Sequence, residues 1–356
     1  MVDKLPLENY IGCLLGGAVG DALGAPIEFD TWEEIKSRYG VKGVTGYVEF
    51  EDGHGEFTDD TQMTLFTAEA MLRTLYRANS RGIWGAINTI CFHCYCNWLK
   101  TQGYDKPNTK FQDSWLLQVD GLYKRRAPGN TCLTALLETE DYKPGTILNN
   151  SKGCGGVMRA APVGLVFYKD LEFAFENGVI AAQITHGHPS GYLSAGFFAA
   201  LIAALNSGVS IEKAVKECMA ILKTQEDSEE CLSALNKAIK LSETKEPSAE
   251  NIETLGGGWV GEEAIAISLY CSLYYKDNFE KGLISSINHS GDSDSTGSIS
   301  GNILGLIHGE AAIPKVWAEN LYLKDVVIRM AEDLYIGFED DGTGMGSERW
   351  FERYGT

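Results

Sequence analysis

His289-Ser290-Gly291-Asp292-Ser293-Asp294-Ser295-Thr296-Gly297 is the stretch on which the reading of this chain turns. Two carboxylates stand two residues apart, hydroxyls surround them and glycines flank them. Residues 298–308 are small and apolar, with Ile299, Ile303, Leu304 and Ile307 at helical spacing on one face. The acidic pair therefore sits on a loop that opens a buried helix. Thr58-Asp59-Asp60-Thr61 has the same construction more than 200 positions upstream, ahead of a helical run carrying Met63, Leu65, Phe66, Ala70 and Leu72. Helical periods dominate the rest of the chain, and only residues 44–50 read as a short strand. The expected fold is all-α: a single compact multi-helix domain over residues 1–356 with a metal site at its centre.

Carboxylate and hydroxyl oxygens are hard donors that suit Mg²⁺, Mn²⁺ or Ca²⁺ and suit zinc or copper poorly. Helix capping accounts for part of each cluster, since Thr58 and Asp292 are good N-caps and acids favour a helix N-terminus. A cap needs one oxygen, however, and each cluster offers three or four. Brought together, the clusters supply four carboxylates that repel one another unless a cation or a proton neutralises them. Such a set suffices for two cations about 3.5–4 Å apart.

The composition narrows the function classes. Of 356 residues, 44% are hydrophobic, and the formal charge is −19. No basic stripe is present, which argues against direct nucleic-acid binding and against an anionic membrane surface. The 9 cysteines are odd in number and scattered without a paired framework. The N-terminus lacks a charged start followed by an apolar signal segment, so a reducing cytoplasm is the expected location. The most apolar run, Tyr192 to Leu205, is about fourteen residues long, short for a bilayer span, and is expected to be a core helix.

Residues 7–23 read as a helix rich in small residues, among them Gly12, Gly16, Gly17 and Gly20. Glycine costs a helix roughly 1 kcal/mol against alanine, so this density implies close approach of another backbone. The helix breaks at Gly24-Ala25-Pro26 and leaves Glu28 on a loop. A turn-rich loop ends in Ser151-Lys152-Gly153-Cys154-Gly155-Gly156. Backbone amides in such a loop can cradle an anion, although tight packing explains the glycines equally well, and no nucleotide phosphate-loop fingerprint is met. Thr185-His186-Gly187-His188-Pro189 reads as a turn whose histidines suit ribose or phosphate hydrogen bonding better than zinc. Cys91, His93, Cys94 and Cys96 alternate with aromatic residues inside one apolar helix and read as core rather than as a zinc site. Trp259, hinged on Gly256-Gly257-Gly258, is either a wall facing a ligand or a packed aromatic.

Taken in order, five blocks resemble the ADP-ribosylglycohydrolases, the group that includes dinitrogenase reductase-activating glycohydrolase and the ADP-ribosylarginine hydrolases. They are Gly16-Gly17-Ala18-Val19-Gly20-Asp21-Ala22-Leu23-Gly24, Thr58-Asp59-Asp60-Thr61, Gly153-Cys154-Gly155-Gly156-Val157-Met158-Arg159, Thr185-His186-Gly187-His188-Pro189 and Gly291-Asp292-Ser293-Asp294-Ser295-Thr296. The resemblance covers nearly the whole chain. It implies an all-α fold with a binuclear centre of two Mg²⁺ or Mn²⁺, held by Thr58, Asp59, Asp60, Asp292, Asp294 and Ser295. It implies that the loop of Ser151, Lys152, Gly153, Cys154, Gly155 and Gly156 holds a diphosphate, with His186 nearby. The implied activity is hydrolysis of ADP-ribose from a protein arginine, with Asp60 or Asp294 assisting proton transfer. The implied partner is an ADP-ribosylated protein; because relatives act as immunity proteins, an ADP-ribosyltransferase toxin is a second candidate. Glu28, seven residues after Asp21, resembles the mobile glutamate of the branch that hydrolyses serine-linked and poly-ADP-ribose, which makes that linkage the alternative. Some relatives serve structurally as lens crystallins, a role against which the intact acidic clusters argue.

Overall fold

The helix Leu7–Gly24 is buried from Asn9 to Gly24 and lies against Ser293–His308, which is buried from Ser293 to Leu306. Glycines make that contact possible. A Cβ built on Gly12 would stand 2.3 Å from the carbonyl oxygen of Gly305. On Gly16 it would stand 2.5 Å from Gly301 O, on Gly20 2.1 Å from Gly297 O, and on Gly24 2.2 Å from Ser293 O. The two helices therefore run antiparallel, backbone against backbone, far closer than side chains allow in an ordinary helix pair. The intrinsic helix penalty of these glycines is offset by that contact. The register has a consequence for chemistry: the end of one helix meets the start of the other. Asp21 and Glu28 are thereby delivered beside Asp292 and Asp294.

In the computed structural model, residues 4–48, 54–140, 142–143 and 145–355 are described. The long helix Asp59–Arg81 is buried almost continuously from Asp59 to Thr74, is capped by Thr58 and ends at Gly82 in the left-handed conformation. Asp21 joins its start to the central pair. Its Oδ1 accepts from the Thr58 amide at 2.8 Å, and its Oδ2 accepts from the Thr61 amide at 3.0 Å and from Thr61 Oγ1 at 2.6 Å. A carboxylate from one helix thus satisfies orphan amides at the start of another.

Around this centre, Pro189–Asn206 packs on Leu171–Gln183 and Ala161–Val166, and Gly261–Tyr274 bridges Glu229–Thr244 to Ser293–His308. The main hydrophobic core runs from Tyr10 to Tyr354, and a smaller buried cluster gathers Ala238, Ile252, Ile267 and Tyr270. The fold is all-α, as the helical periods imply, and among the described residues the only β pairings are isolated bridges, Gly55 with Leu321 and Gly153 with Val260. Residues 44–48 of the expected strand carry none; Glu49 and Phe50 lie outside the described residues. Pro189–Asn206 exceeds the apolar run inside it. With its 18 residues it reaches spanning length, as does Leu7–Ile27, yet both are 89% buried within the protein. Cys91, Cys94 and Cys96 are buried free thiols of the core helix Ile87–Thr101.

Candidate active site

The two acidic helix starts meet. Thr58 Oγ1 donates to Asp294 Oδ2 at 3.3 Å and also caps its own helix by accepting from the Asp60 amide at 3.3 Å. Asp292 Oδ1 accepts from the Ser295 amide at 3.2 Å, and Asp294 Oδ1 accepts from the same amide at 2.9 Å. The loop before them is braced by His289, whose Nε2 lies 3.0 Å from Thr296 Oγ1, and by the Asp292 amide donating to Gly257 O at 2.8 Å. Asp59, Asp60, Asp292, Asp294 and Ser295 line a cavity of about 210 Å³, with Glu28, His186 and Trp259 in its wall.

These acids are held in a costly environment. Burial, reinforced by Asp294 and Asp21, drives the Asp60 carboxyl well above the usual carboxylate range. Asp59 and Asp292 are raised for the same first reason, and Asp294 is raised by burial as well. Burial followed by the charge of Asp294 lifts Asp21 to about 7. Glu28 rises to about 10 through burial and then the charges of Asp294, Asp292, Asp59 and Asp21. Asp60 Oδ1 is buried without a hydrogen-bond partner. A buried carboxylate oxygen in that state calls for a cation or a proton. No group of three or more His, Cys, Asp and Glu side chains among the described residues gathers as a ready-made chelate. The converging donors instead mix carboxylates with the hydroxyls of Thr58 and Ser295, an all-oxygen set that fits hard divalent cations.

The glycine loop contributes part of what its sequence implies. Gly153, Cys154 and Gly155 line the cavity, and Cys154 Sγ lies 2.8 Å from Asp292 Oδ2. Two of its amides are engaged inside the protein, Gly153 N by Ser151 Oγ at 3.3 Å and Cys154 N by Trp259 O at 3.2 Å. Gly156 packs against Ala182 and Gly191. Ser151 lies behind the wall beside Thr131, their hydroxyls 3.3 Å apart. Lys152 is turned to the surface, where its Nζ donates to Glu262 at 2.7 Å and Glu230 at 3.0 Å. Trp259 is 42% exposed at the mouth and stacks on Phe29, which is 76% exposed, with centroids 5.6 Å apart.

Two parts of the site escape the sequence reading. Asp21 is one, although a lone acid within a glycine-rich apolar helix signals a buried role. The other is the wall formed by Gly129, Asn130, Thr131 and Cys132, fixed where the Gly129 amide donates to Asp59 Oδ2 at 3.0 Å. No motif marks that wall.

Comparison with known proteins adds a lineage to this geometry. Residues 3–344 match the family described as ADP-ribosylglycohydrolase. The chain is 28% identical over 322 residues to ADP-ribosyl-[dinitrogen reductase] glycohydrolase of Rhodospirillum rubrum, covering 89% of this chain and 91% of the relative. It is 25% identical over 340 residues to ADP-ribosylarginine hydrolase Tri1 of Serratia proteamaculans, covering 94% and 81%. A solved structure titled ADP-ribosylglycohydrolase-related protein complex superimposes with a TM-score of 0.63 at 22% identity over 93% of this chain and 98% of that one, a likeness of fold. With a match that extends from residue 3 to residue 344, this chain belongs to the ADP-ribosylglycohydrolase family.

Proposed function

We propose that the protein removes ADP-ribose from ADP-ribosylated arginine side chains of other proteins, reversing mono-ADP-ribosylation in the cytoplasm. The observation that carries this reading is the convergence of Asp59, Asp60, Asp292 and Asp294 on one small cavity, with Asp60 Oδ1 unpartnered. Thr58, Asp59, Asp60, Asp292, Asp294 and Ser295 would hold two Mg²⁺ or Mn²⁺. When bound, these ions supply positive charge to grip ribose hydroxyls and to lower the pKa of a water. Cleavage at the anomeric carbon builds positive oxocarbenium character, which a cavity walled by carboxylates favours. Asp60 or Asp294, both of which line the cavity, would take the proton of the attacking water. The Gly153–Gly155 turn and His186, which line the same cavity, would take the diphosphate. The relatives named as arginine and dinitrogen reductase hydrolases support the arginine linkage.

One observation favours a second reading. Glu28 lines the cavity together with Trp259, which stacks on Phe29, the residue next to Glu28. An acid there suits hydrolysis of serine-linked or polymeric ADP-ribose equally well on chemical grounds. Incubation with arginine-, serine- and polymer-linked ADP-ribose, with and without Mg²⁺, separates the two. Metal-dependent release from arginine alone is the expected result; clearance of the serine-linked form with arginine untouched overturns the assignment.

A further inference from the structure

Arg159 is a charge with nowhere ordinary to go. It is wholly buried, and among the described residues no carboxylate pairs with it. Its Nη1 faces Met63 Sδ at 3.3 Å and Cys132 Sγ at 3.5 Å, and its guanidinium lies 4.2 Å from the centre of the Tyr95 ring. Its Nη2 donates to Ala181 O at 3.0 Å and to Thr185 Oγ1 at 2.7 Å. A guanidinium has donors only, so Thr185 Oγ1 must accept from it. Besides the Cys132 sulfur, a weak acceptor, the hydroxyl hydrogen of Thr185 then has two acceptors in reach, Ala182 O at 3.4 Å and His186 Nδ1 at 2.8 Å. The first distance lies beyond the normal O–H···O range and the second inside it. Nδ1 therefore accepts. A neutral imidazole keeps one N–H, and here it is on Nε2.

We infer that Thr185 is a positioning residue: anchored by Arg159, its hydroxyl fixes His186 as the Nε2–H tautomer, so that the ring offers a hydrogen bond to an acceptor oxygen of the ligand at the Gly153–Gly155 turn. Nε2 makes no hydrogen bond to any described residue. It faces that turn, 3.3 Å from where a Cβ on Gly153 or on Gly155 would stand, and the ring lines the cavity while only 1% exposed. Burial and the Arg159 charge press the His186 pKa down to about 3, which keeps the ring neutral at working pH. His186 thus serves as a fixed donor rather than as an acid, a base or a cation. The identity of the ligand as ADP-ribose rests on the proposed function; the tautomer does not.

The test is a long-range ¹⁵N–¹H correlation spectrum of protein labelled in its 6 histidines, with His186 assigned by His186→Gln. The wild type and Thr185→Ser should show the Nε2–H pattern for His186 from about pH 6 to pH 8. Thr185→Val, close in shape but without the hydroxyl, should show mixed tautomers and bind ADP-ribose, followed by calorimetry, about five- to tenfold more weakly. Thr185→Ser should restore both. An Nδ1–H pattern in the wild type overturns the inference, and that spectrum decides even if Thr185→Val fails to fold. Retention of the Nε2–H pattern and full affinity in Thr185→Val overturns the role of Thr185. Wild-type protein that shows the expected pattern yet ignores ADP-ribose would refute the ligand assignment and leave the tautomer standing.

Discussion

Gly20→Ala probes the contact that builds the site. A Cβ at position 20 would lie 2.1 Å from Gly297 O and 2.9 Å from Leu283 Cδ1. Ordinary contact requires more than 3 Å, so the two central helices must part by roughly an ångström. Overpacking of this kind costs about 1–3 kcal/mol, and the rigid backbone partner places Gly20→Ala at the upper end. Alanine returns about 1 kcal/mol of helix propensity, which leaves a net loss of about 2 kcal/mol. For 356 residues the entropy of unfolding is about 0.75 kcal/mol/K, so the melting temperature should fall by about 3 °C. Gly17→Ala is the internal control. Its Cβ would also stand 2.1 Å from an atom, but that atom is the Asn302 side-chain amide, which can swing away. The displaced amide gives up its 2.8 Å bond to Cys13 O, worth about 1 kcal/mol, and the propensity gain cancels it. Thermal and urea melts of the two variants, with and without Mg²⁺, test the account. Gly20→Ala should also show a weaker response to Mg²⁺, because parting the helices moves Asp294 from Thr58 and Asp21. Equal stability of Gly20→Ala and Gly17→Ala would refute the backbone-contact argument.

Further outcomes follow from the acids. Mg²⁺ should raise the melting temperature by mass action, and Asp60→Ala should abolish most of that rise while the helical circular dichroism stays intact; an undiminished metal response removes Asp60 from the ligand set. Without metal, carboxyls such as Asp21, raised to about 7, are higher in the folded than in the unfolded chain, so the folded state binds the extra protons and loses stability as pH rises. Melting in EDTA should therefore shift upward from about pH 8 to about pH 5, and Mg²⁺ should flatten the profile; a downward shift in EDTA contradicts the linkage. Asp294→Ala should slow release from ADP-ribosyl-arginine roughly a hundredfold or more. Glu28→Ala should slow that release far less, whereas a loss as deep as that of Asp294→Ala would make Glu28 part of the chemistry on arginine.

How much of this was legible depends on whether the signal was local. The glycine period of Gly12, Gly16 and Gly20 and the apolar period of Ile299 and Ile303 each declare a buried face, so the all-α core and the close backbone approach can be read from spacing alone. The acid clusters can be read because helix capping leaves oxygens over. Lys152 shows where local reading stops: its position beside glycines suggests an anion, but Glu262 and Glu230 come from distant helices and claim its charge. The Gly129–Cys132 wall is fixed to the site by a hydrogen bond to Asp59 across 70 positions and has no pattern of its own. Asp21 is the instructive case. Its neighbours in sequence are glycine and alanine, and only the register of the two helices reveals that it holds Thr58 and Thr61 in place. The glycines that let backbones touch are therefore also what set one helix end against the other helix start. Fold and site are specified here by the same residues, and a change that spares every acid can still dismantle the centre.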